Sequence, residues 1–192
     1  MSKVVVSQFV SVDGVIEDPG GSENWDRGGW AFQFDRGPDG DKFKLDELMA
    51  SDALLLGRVT YQGFADAWPS RSGDFADKFN NMPKYVVSTT LAAAEWNNST
   101  LIRENVAEEV AKLKQQAGGD ILVNGSATLV HTLVEHALVD EYRLMVFPVV
   151  LGSGKRLFPE RNDSAALQLV EAKPAADVLI LTYRPAEKQA EG

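Results

Sequence analysis

Two segments of this chain each carry an apolar, strand-like run that stops at a glycine and passes directly into a helical pattern. They are residues 54–61 (LLLGRVTY) and residues 121–127 (ILVNGSA). Such a junction leaves unpaired backbone N–H groups at the positive end of a helix dipole, and its glycine lets an anion approach the backbone closely. Two junctions can hold the two ends of a dinucleotide. Neither has the G-x-G-x-x-G fingerprint, and ordinary strand-to-helix turns look similar, so both interpretations stay open.

The composition is typical of an acidic globular protein. The 192 residues predict one domain, residues 1–185, followed by a disordered tail, residues 186–192. A net charge of −9 argues against nucleic acid as a partner but leaves room for a local basic site. The chain has no cysteine, no signal-peptide pattern and no apolar run of membrane-spanning length, which predicts a cytoplasmic protein without a membrane partner.

Strand-like and helix-like patterns alternate along the chain. This order predicts an α/β three-layer domain with a mostly parallel sheet of about eight strands, antiparallel at its C-terminal end. The strands are predicted at residues 3–10, 53–56, 83–88, 100–103, 120–123, 140–150, 167–172 and 178–184. The helices are predicted at residues 41–50, 60–67, 105–116 and 126–136, the third one capped by Asn105 with Glu108 completing a capping box.

Residues 11–40 form a predicted loop that is long and unusually aromatic. Turn signals recur throughout it, and it contains Trp25, Trp30, Phe32 and Phe34. Loops of this length are usually functional or disordered. Trp25 and Trp30 are candidates to stack on a planar ligand ring; the alternative is a lid that packs on the protein's own core.

Six short motifs stand in the order found in a known family. They are residues 11–14 (SVDG), 56–61 (LGRVTY), 85–89 (YVVST), 123–126 (VNGS), 138–142 (LVDEY) and 148–154 (PVVLGSG), the last followed by Leu157 and Phe158. With these motifs the chain resembles the dihydrofolate reductase superfamily over residues 4–184. It is most similar to the branch containing the C-terminal reductase domain of the bacterial riboflavin-pathway deaminase-reductase.

The resemblance implies a scaffold for NADPH-dependent hydride transfer, with the cofactor across the carboxyl ends of the strands. The implied phosphate-binding residues are Gly57, Arg58, Val59 and Thr60 at the first junction, and Asn124, Gly125, Ser126 and Ala127 at the second. The implied residues beside the adenosine ribose are Ser88, Thr89 and Thr90, and those beside the nicotinamide are Val12, Asp13, Gly14 and Ile16. Simpler interpretations are a surface arginine at Arg58 and ordinary turns elsewhere. An unusual backbone geometry is expected at Asn124–Gly125.

The substrate side is less defined. In folate reductases a carboxylate on the helix before the Gly-Arg junction assists protonation of the pterin, and the same interval from Gly57 leads to Asp41. The alternative role for Asp41 is a helix N-cap, and Asp39, Asp46 and Glu47 lie nearby. The riboflavin branch uses a basic residue for a ribose phosphate, for which Lys155 and Arg156 are candidates; they are equally typical of charges on a hairpin surface.

Together these features predict an NADPH-dependent reductase acting on a pterin- or pyrimidine-type heterocycle. The alternatives are the riboflavin-pathway 5-amino-6-(5-phosphoribosylamino)uracil reductase and a non-catalytic nucleotide-binding relative. The chain lacks the His/Cys zinc motif of a deaminase. No metal site is expected, because His131 and His136 do not share a helix face. The resemblance also implies a homodimer formed through residues 139–150 and the closing hairpin.

Overall fold

The computed structural model describes residues 1–116, 118–158, 160 and 164–186. Its strands are β1 (Val4–Ser11), β2 (Ser51–Gly57), β3 (Lys84–Val87), β4 (Ser99–Ile102), β5 (Asp120–Val123), β6 (Glu141–Phe147), β7 (Leu167–Ala175) and β8 (Val178–Pro185). Its α-helices are α1 (Gly37–Met49), α2 (Arg58–Ala67), α3 (Asp74–Asn81), α4 (Val106–Gln115) and α5 (Ala127–Glu135).

The strands form one sheet of eight in the order β4-β3-β2-β5-β1-β6-β8-β7. β1 pairs in parallel with both β5 and β6, and β2 pairs in parallel with β3 and β5. β8 is antiparallel to β6 and β7. The predicted mostly parallel sheet with an antiparallel C-terminal end is therefore confirmed.

The core lies in two layers because neighbouring residues of each strand face opposite sides of the sheet. Val4 and Val6 of β1 pack on the side that α4 and α5 cover, while Val5 packs on the side that α1, α2 and α3 cover. Val110 of α4 and Leu48 of α1 are buried on the two sides. A third cluster, around Trp30 and Phe147, fills the antiparallel end of the sheet. The chain is thus a three-layer α/β structure, as predicted.

Several predicted boundaries were wrong. α1 begins at Gly37 rather than Asp41, because Pro38 fits the first turn of a helix. The third helix in chain order, α3, was missed altogether. β6 ends at Phe147 rather than at residue 150, and the predicted loop over residues 11–40 contains a short 3₁₀ helix, Trp30–Gln33.

The predicted capping box of α4 is absent. Asn105 is the N-cap residue, but its φ of 52° places it in the left-handed region and its side chain makes no capping hydrogen bond. A capping side chain needs an extended N-cap backbone to reach the first-turn N–H groups, which this conformation does not provide.

The described part of the chain ends just after β8. The backbone N–H of Ala186 donates to the carbonyl of Ala166 at 3.0 Å, so the first residue of the predicted tail is ordered. Residues 187–192, where the rest of that tail was predicted, lie outside the described residues. None of the described helices combines the length and apolar character needed to cross a bilayer.

Candidate functional site

The loops that follow six parallel strands meet at one edge of the sheet, which we call the carboxyl edge. The strands β1 to β6 all run toward it. Ligands of open α/β sheets bind outside the carboxyl ends of the strands. The predicted residues of the loops after β1, β2, β3 and β5 therefore share this edge.

The two predicted junctions touch each other here. The N–H of Gly57 donates to the carbonyl of Gly125 at 3.0 Å. A Cβ atom at Gly57 would lie 2.2 Å from Ser126 Oγ, and one at Gly125 would lie 2.5 Å from Thr60 Oγ1. Both glycines are thus required by the close approach of the two loops. The cis peptide bond of this region joins Gly125 and Ser126, so the unusual geometry expected at Asn124–Gly125 is one peptide bond further along.

The helices that leave these junctions begin without side-chain caps. Neither Gly57 before α2 nor Ser126 before α5 supplies a capping hydrogen bond, and neither first turn contains an acidic residue. The first N–H groups of both helices are therefore left for another acceptor, in a positive dipole field. Helix N-termini of this kind are suited to bind phosphate groups.

Arg58 extends from the start of α2 into solvent. Its Nη1 donates to Gln62 Oε1 at 3.1 Å, and it forms no ion pair with any described residue. It lines a cavity of about 480 Å³ together with three residues of the loop after β1. Those three are Ser22, Glu23 and Asn24. An exposed guanidinium without a carboxylate partner is available to bind an anion.

The turn after β3 is shaped by Ser88. Its hydroxyl accepts hydrogen bonds from the backbone N–H groups of Thr90 and Leu91, at 3.2 and 2.9 Å. Ser88 is buried in this role, whereas the side chains of Thr89 and Thr90 are exposed at the carboxyl edge. Ser88 thus positions the turn, and the two threonines face outward.

The loop after β1 is tied to the turn after β6. Asp13 accepts from Ser11 Oγ at 2.7 Å and from the N–H groups of Leu151 and Gly152. These hydrogen bonds, that from Ser11 being the strongest, lower the pKa of Asp13 to about 2. Val12 is exposed beside Asp13, while Ile16 is buried in the core. Asp13 is therefore a permanent anion that holds two loops together.

Lys155 and Arg156 belong to the same connection. Lys155 Nζ lies 2.9 Å from Glu17 Oε1, and Arg156 donates to the backbone carbonyl of Asp13. Although burial opposes the change, the Lys155 ammonium lowers the pKa of Glu17. Both residues are exposed at the surface, as the surface-charge alternative expects, and each contacts the loop after β1.

The substrate-side candidates lie in different environments. Asp41 is the fifth residue of α1, so it is not the N-cap; its exposed carboxylate pairs with Arg36 Nε at 2.5 Å. α1 ends where β2 starts, so its beginning points toward the carboxyl edge. Trp30 is 1% exposed and packs edge-on against Phe147, so the structure places its ring in the core. Trp25 is half-buried.

A buried polar cluster beneath this edge was not predicted. Lys44 Nζ donates to Ser7 Oγ at 2.8 Å and pairs with Glu47, whose side chain is 2% exposed. Ser7 Oγ donates to Glu47 Oε1, and Asn124 Nδ2 lies 3.4 Å from the Ser7 carbonyl. This cluster connects α1 to the second junction and can hold and move a proton. Its sequence signals were a serine inside an apolar strand and Glu47, an acid near Asp41 that is buried rather than solvated.

Comparisons with known proteins identify the family and the fold. The family model described as the RibD C-terminal domain matches residues 2–181. The uncharacterized protein YyaP of Bacillus subtilis (strain 168) is 31% identical over 176 residues, which cover 89% of this chain and 88% of YyaP.

Solved structures with low identity share the fold. A candidate riboflavin biosynthesis protein of Shewanella sp. PV-4 aligns with a TM-score of 0.76 at 19% identity, over 97% of this chain and 100% of that one. Dihydrofolate reductase of Enterococcus faecalis, solved with NADP(H), aligns at 0.59 and 17%, over 96% and 97%.

A deaminase/5-amino-6-(5-phosphoribosylamino)uracil reductase of Thermotoga maritima also aligns, with a TM-score of 0.62 at 14% identity. The match covers 96% of this chain and 57% of the Thermotoga chain. The fold is therefore dihydrofolate reductase-like, and by its family-model match this chain belongs to the RibD C-terminal domain family.

Proposed function

We propose that this protein is an NADPH-dependent reductase that transfers a hydride to a pterin- or pyrimidine-type heterocycle. The observation that carries the proposal is the pair of helix N-termini without acidic first-turn residues that meet at Gly57 and Gly125. The Enterococcus reductase with the same fold was solved with NADP(H), which supports this choice of cofactor. The cysteine-free chain suits a reducing cytoplasm, where we place the reaction.

Different residues of the chain would bind different parts of the cofactor. The first-turn N–H groups of α2 and α5 would hold the diphosphate. Arg58 would bind the 2′-phosphate or the diphosphate, and Thr89 and Thr90 would lie beside the adenosine ribose. The loop held by Asp13 would form one wall of the nicotinamide site, with Val12 exposed on it.

When bound, NADPH supplies the hydride; the protein orients the two rings and supplies the proton. Two groups near the carboxyl edge are suited to hold that proton. Asp41 has an exposed carboxylate beside Arg36, and Lys44 has an ammonium linked to Ser7 and Glu47. Trp25 would contact the heterocycle, and any substrate role for Lys155 or Arg156 must coexist with their contacts to the β1 loop.

The test combines binding with turnover. NADPH and NADH are titrated against the purified protein by quenching of its four tryptophans. Absorbance then follows NADPH oxidation with dihydrofolate and with 5-amino-6-(5-phosphoribosylamino)uracil. Binding with turnover of either compound supports a reductase. Binding without turnover of a wider pterin and pyrimidine panel would favour the non-catalytic nucleotide-binding alternative, and absence of NADPH binding at sub-millimolar concentration would refute the proposal.

The riboflavin-pathway reaction is an alternative candidate, in which the hydride reduces the ribosyl side chain of the substrate and not its ring. Family membership and the Thermotoga reductase favour 5-amino-6-(5-phosphoribosylamino)uracil as the substrate. Turnover of this compound but not of dihydrofolate would select it. The reverse preference would assign the protein to pterin reduction.

We also propose a homodimer formed through the antiparallel end of the sheet. Leu169 and Val170 of β7 and Leu179 of β8 are 52%, 46% and 40% exposed, which is unusual for large apolar residues of neighbouring strands. Sedimentation is expected to show a dimer that Leu179→Lys shifts toward monomer. A wild-type chain that stays monomeric at high concentration would contradict this arrangement.

A further inference from the structure

The loop after β1 carries a carboxylate without a partner, at Glu23. Its backbone N–H donates to Asp18 Oδ1 at 3.0 Å, which fixes the loop at this residue. The carboxylate itself makes no hydrogen bond or ion pair with any described residue, although the residue is half-buried. An unpaired, half-buried carboxylate costs solvation free energy, so its position calls for a reason other than stability.

The surroundings of Glu23 are electrostatically mixed. Burial, followed by the charges of Asp18 and Glu17 on the same loop, raises the pKa of Glu23, and the Lys155 ammonium opposes this. Glu23 lines the cavity of about 480 Å³ together with Arg58, which attracts anions, and Asp66 of α2, which repels them. The carboxylate thus shares a cavity with the residue that is proposed to bind a cofactor phosphate.

We infer that Glu23 is a specificity-determining residue that weakens phosphate binding at Arg58. This inference rests on the proposed function, since it concerns the same cofactor. A phosphate bound by Arg58 would be repelled by the negative charge of Glu23, because both residues line the same cavity. The 2′-phosphate and the diphosphate present the same chemistry, and comparison of NADPH with NADH separates them.

The test substitutes Glu23→Gln, which removes the charge and keeps the shape. Asp26→Asn is the matched control, because Asp26 is an exposed acid of the same loop that does not line the cavity. Affinities for NADPH and NADH are measured near neutral pH by tryptophan quenching. Acid-stable NADP⁺ is used for a pH series, and thermal melts establish that each variant is folded.

Glu23→Gln is expected to tighten NADPH binding about tenfold relative to wild type and to Asp26→Asn. Unchanged NADH affinity would assign the repulsion to the 2′-phosphate, and equal tightening would assign it to the diphosphate. The wild type should gain NADP⁺ affinity as the pH falls and Glu23 is protonated, and Glu23→Gln should lose that part of the dependence. Equal effects of the two variants, or none, would overturn the inference while leaving the proposed function intact. If the wild type binds neither nucleotide, both fall.

Discussion

The cations at the two edges of the parallel sheet differ in whether other residues of the protein use their hydrogen-bond donors. At the amino edge, Lys84 is fully buried and its ammonium donates to the carbonyls of Asn80, Met82 and Asn97. At the carboxyl edge, the guanidinium of Arg58 is exposed and contacts only the amide of Gln62 among the described residues. A cation whose donors are all used by the protein is structural, whereas a cation with free donors is available to a ligand.

Other charged residues at the amino edge are also paired within the protein. Arg143 pairs with Asp120 and Glu141, and Glu141 also accepts from Arg184. Although burial opposes it, Arg143 lowers the pKa of Glu141. These charges at the amino edge pair with one another. The net charge of −9 therefore does not indicate where on the protein an anion can bind.

The helices that start at the carboxyl edge differ in whether their first turn contains acidic residues. α4 has Glu108 and Glu109 in its first turn, which satisfy the positive end of its own dipole. α2 and α5 have no acidic residue there. Topology brings several helix N-termini toward this edge, and those of α2 and α5 have no acidic residue in the first turn.

The largest expected effect is at Lys84. Lys84→Met should lower the free energy of unfolding by about 3 kcal/mol, because three buried carbonyls lose their donor. NADPH affinity should be unchanged. Urea unfolding measures the loss, with Lys112→Met on the exposed face of α4 as control; equal losses in the two variants would contradict a structural role confined to Lys84.

Lys84 also predicts a pH dependence. Burial lowers the pKa of its ammonium from 10.5 to about 8. Between these values the unfolded chain binds more protons than the folded one, so this group makes stability rise as the pH increases from about 8 to 10.5. Lys84→Met should lack that rise in the same unfolding series, and an identical slope in wild type and variant would be evidence against it.

Gly57→Ala should disturb both stability and binding. The added Cβ would meet Ser126 Oγ and force the two junctions apart, at a cost of about 1–3 kcal/mol. NADPH affinity should fall together with the melting temperature. Gly20→Ala is the matched control, since nothing lies within 4 Å of its added Cβ; unaltered NADPH binding by Gly57→Ala would show that the junction contact is dispensable.

Arg58→Gln should act on binding alone. Loss of a charge-assisted hydrogen bond to phosphate lowers affinity about 10- to 100-fold, with stability nearly unchanged. If Arg58 binds the 2′-phosphate, NADPH should lose more affinity than NADH. Arg71→Gln, which removes a cation stacked on Trp68, serves as the control. Wild-type affinity in Arg58→Gln would remove Arg58 from the site.

The smallest effect sharpens the comparison between helices. Thr128→Glu places a carboxylate in the first turn of α5, where it should stabilise the helix by about 0.3–1 kcal/mol and weaken NADPH binding. Glu108→Gln in α4 should lower stability slightly and leave NADPH affinity unchanged. Melting curves check the predicted changes in stability, and titrations check those in NADPH affinity. Tighter NADPH binding by Thr128→Glu would be incompatible with a phosphate at α5.

The sequence predicted the features that depend on local pattern. The apolar runs identified all eight strands, and the two glycine junctions were located because strand, turn and helix signals are adjacent in the chain. α3 was missed although Phe75 and Phe79 are spaced for one helix face, since its window is short and follows a polar loop. Long-range pairs were beyond reach: Ser7 meets Glu47 across 40 residues, and Lys155 meets Glu17 across 138. Only the fold brings those polar groups together.

The most direct test of the central claim is amide hydrogen exchange with and without saturating NADPH. We expect protection in peptides covering residues 57–61 and 125–129, where α2 and α5 begin. The start of α4, residues 105–109, and the Lys84 region should exchange unchanged. Protection at the start of α4, or none at either junction while NADPH is bound, would contradict the assignment of the phosphate site to the N-termini of α2 and α5.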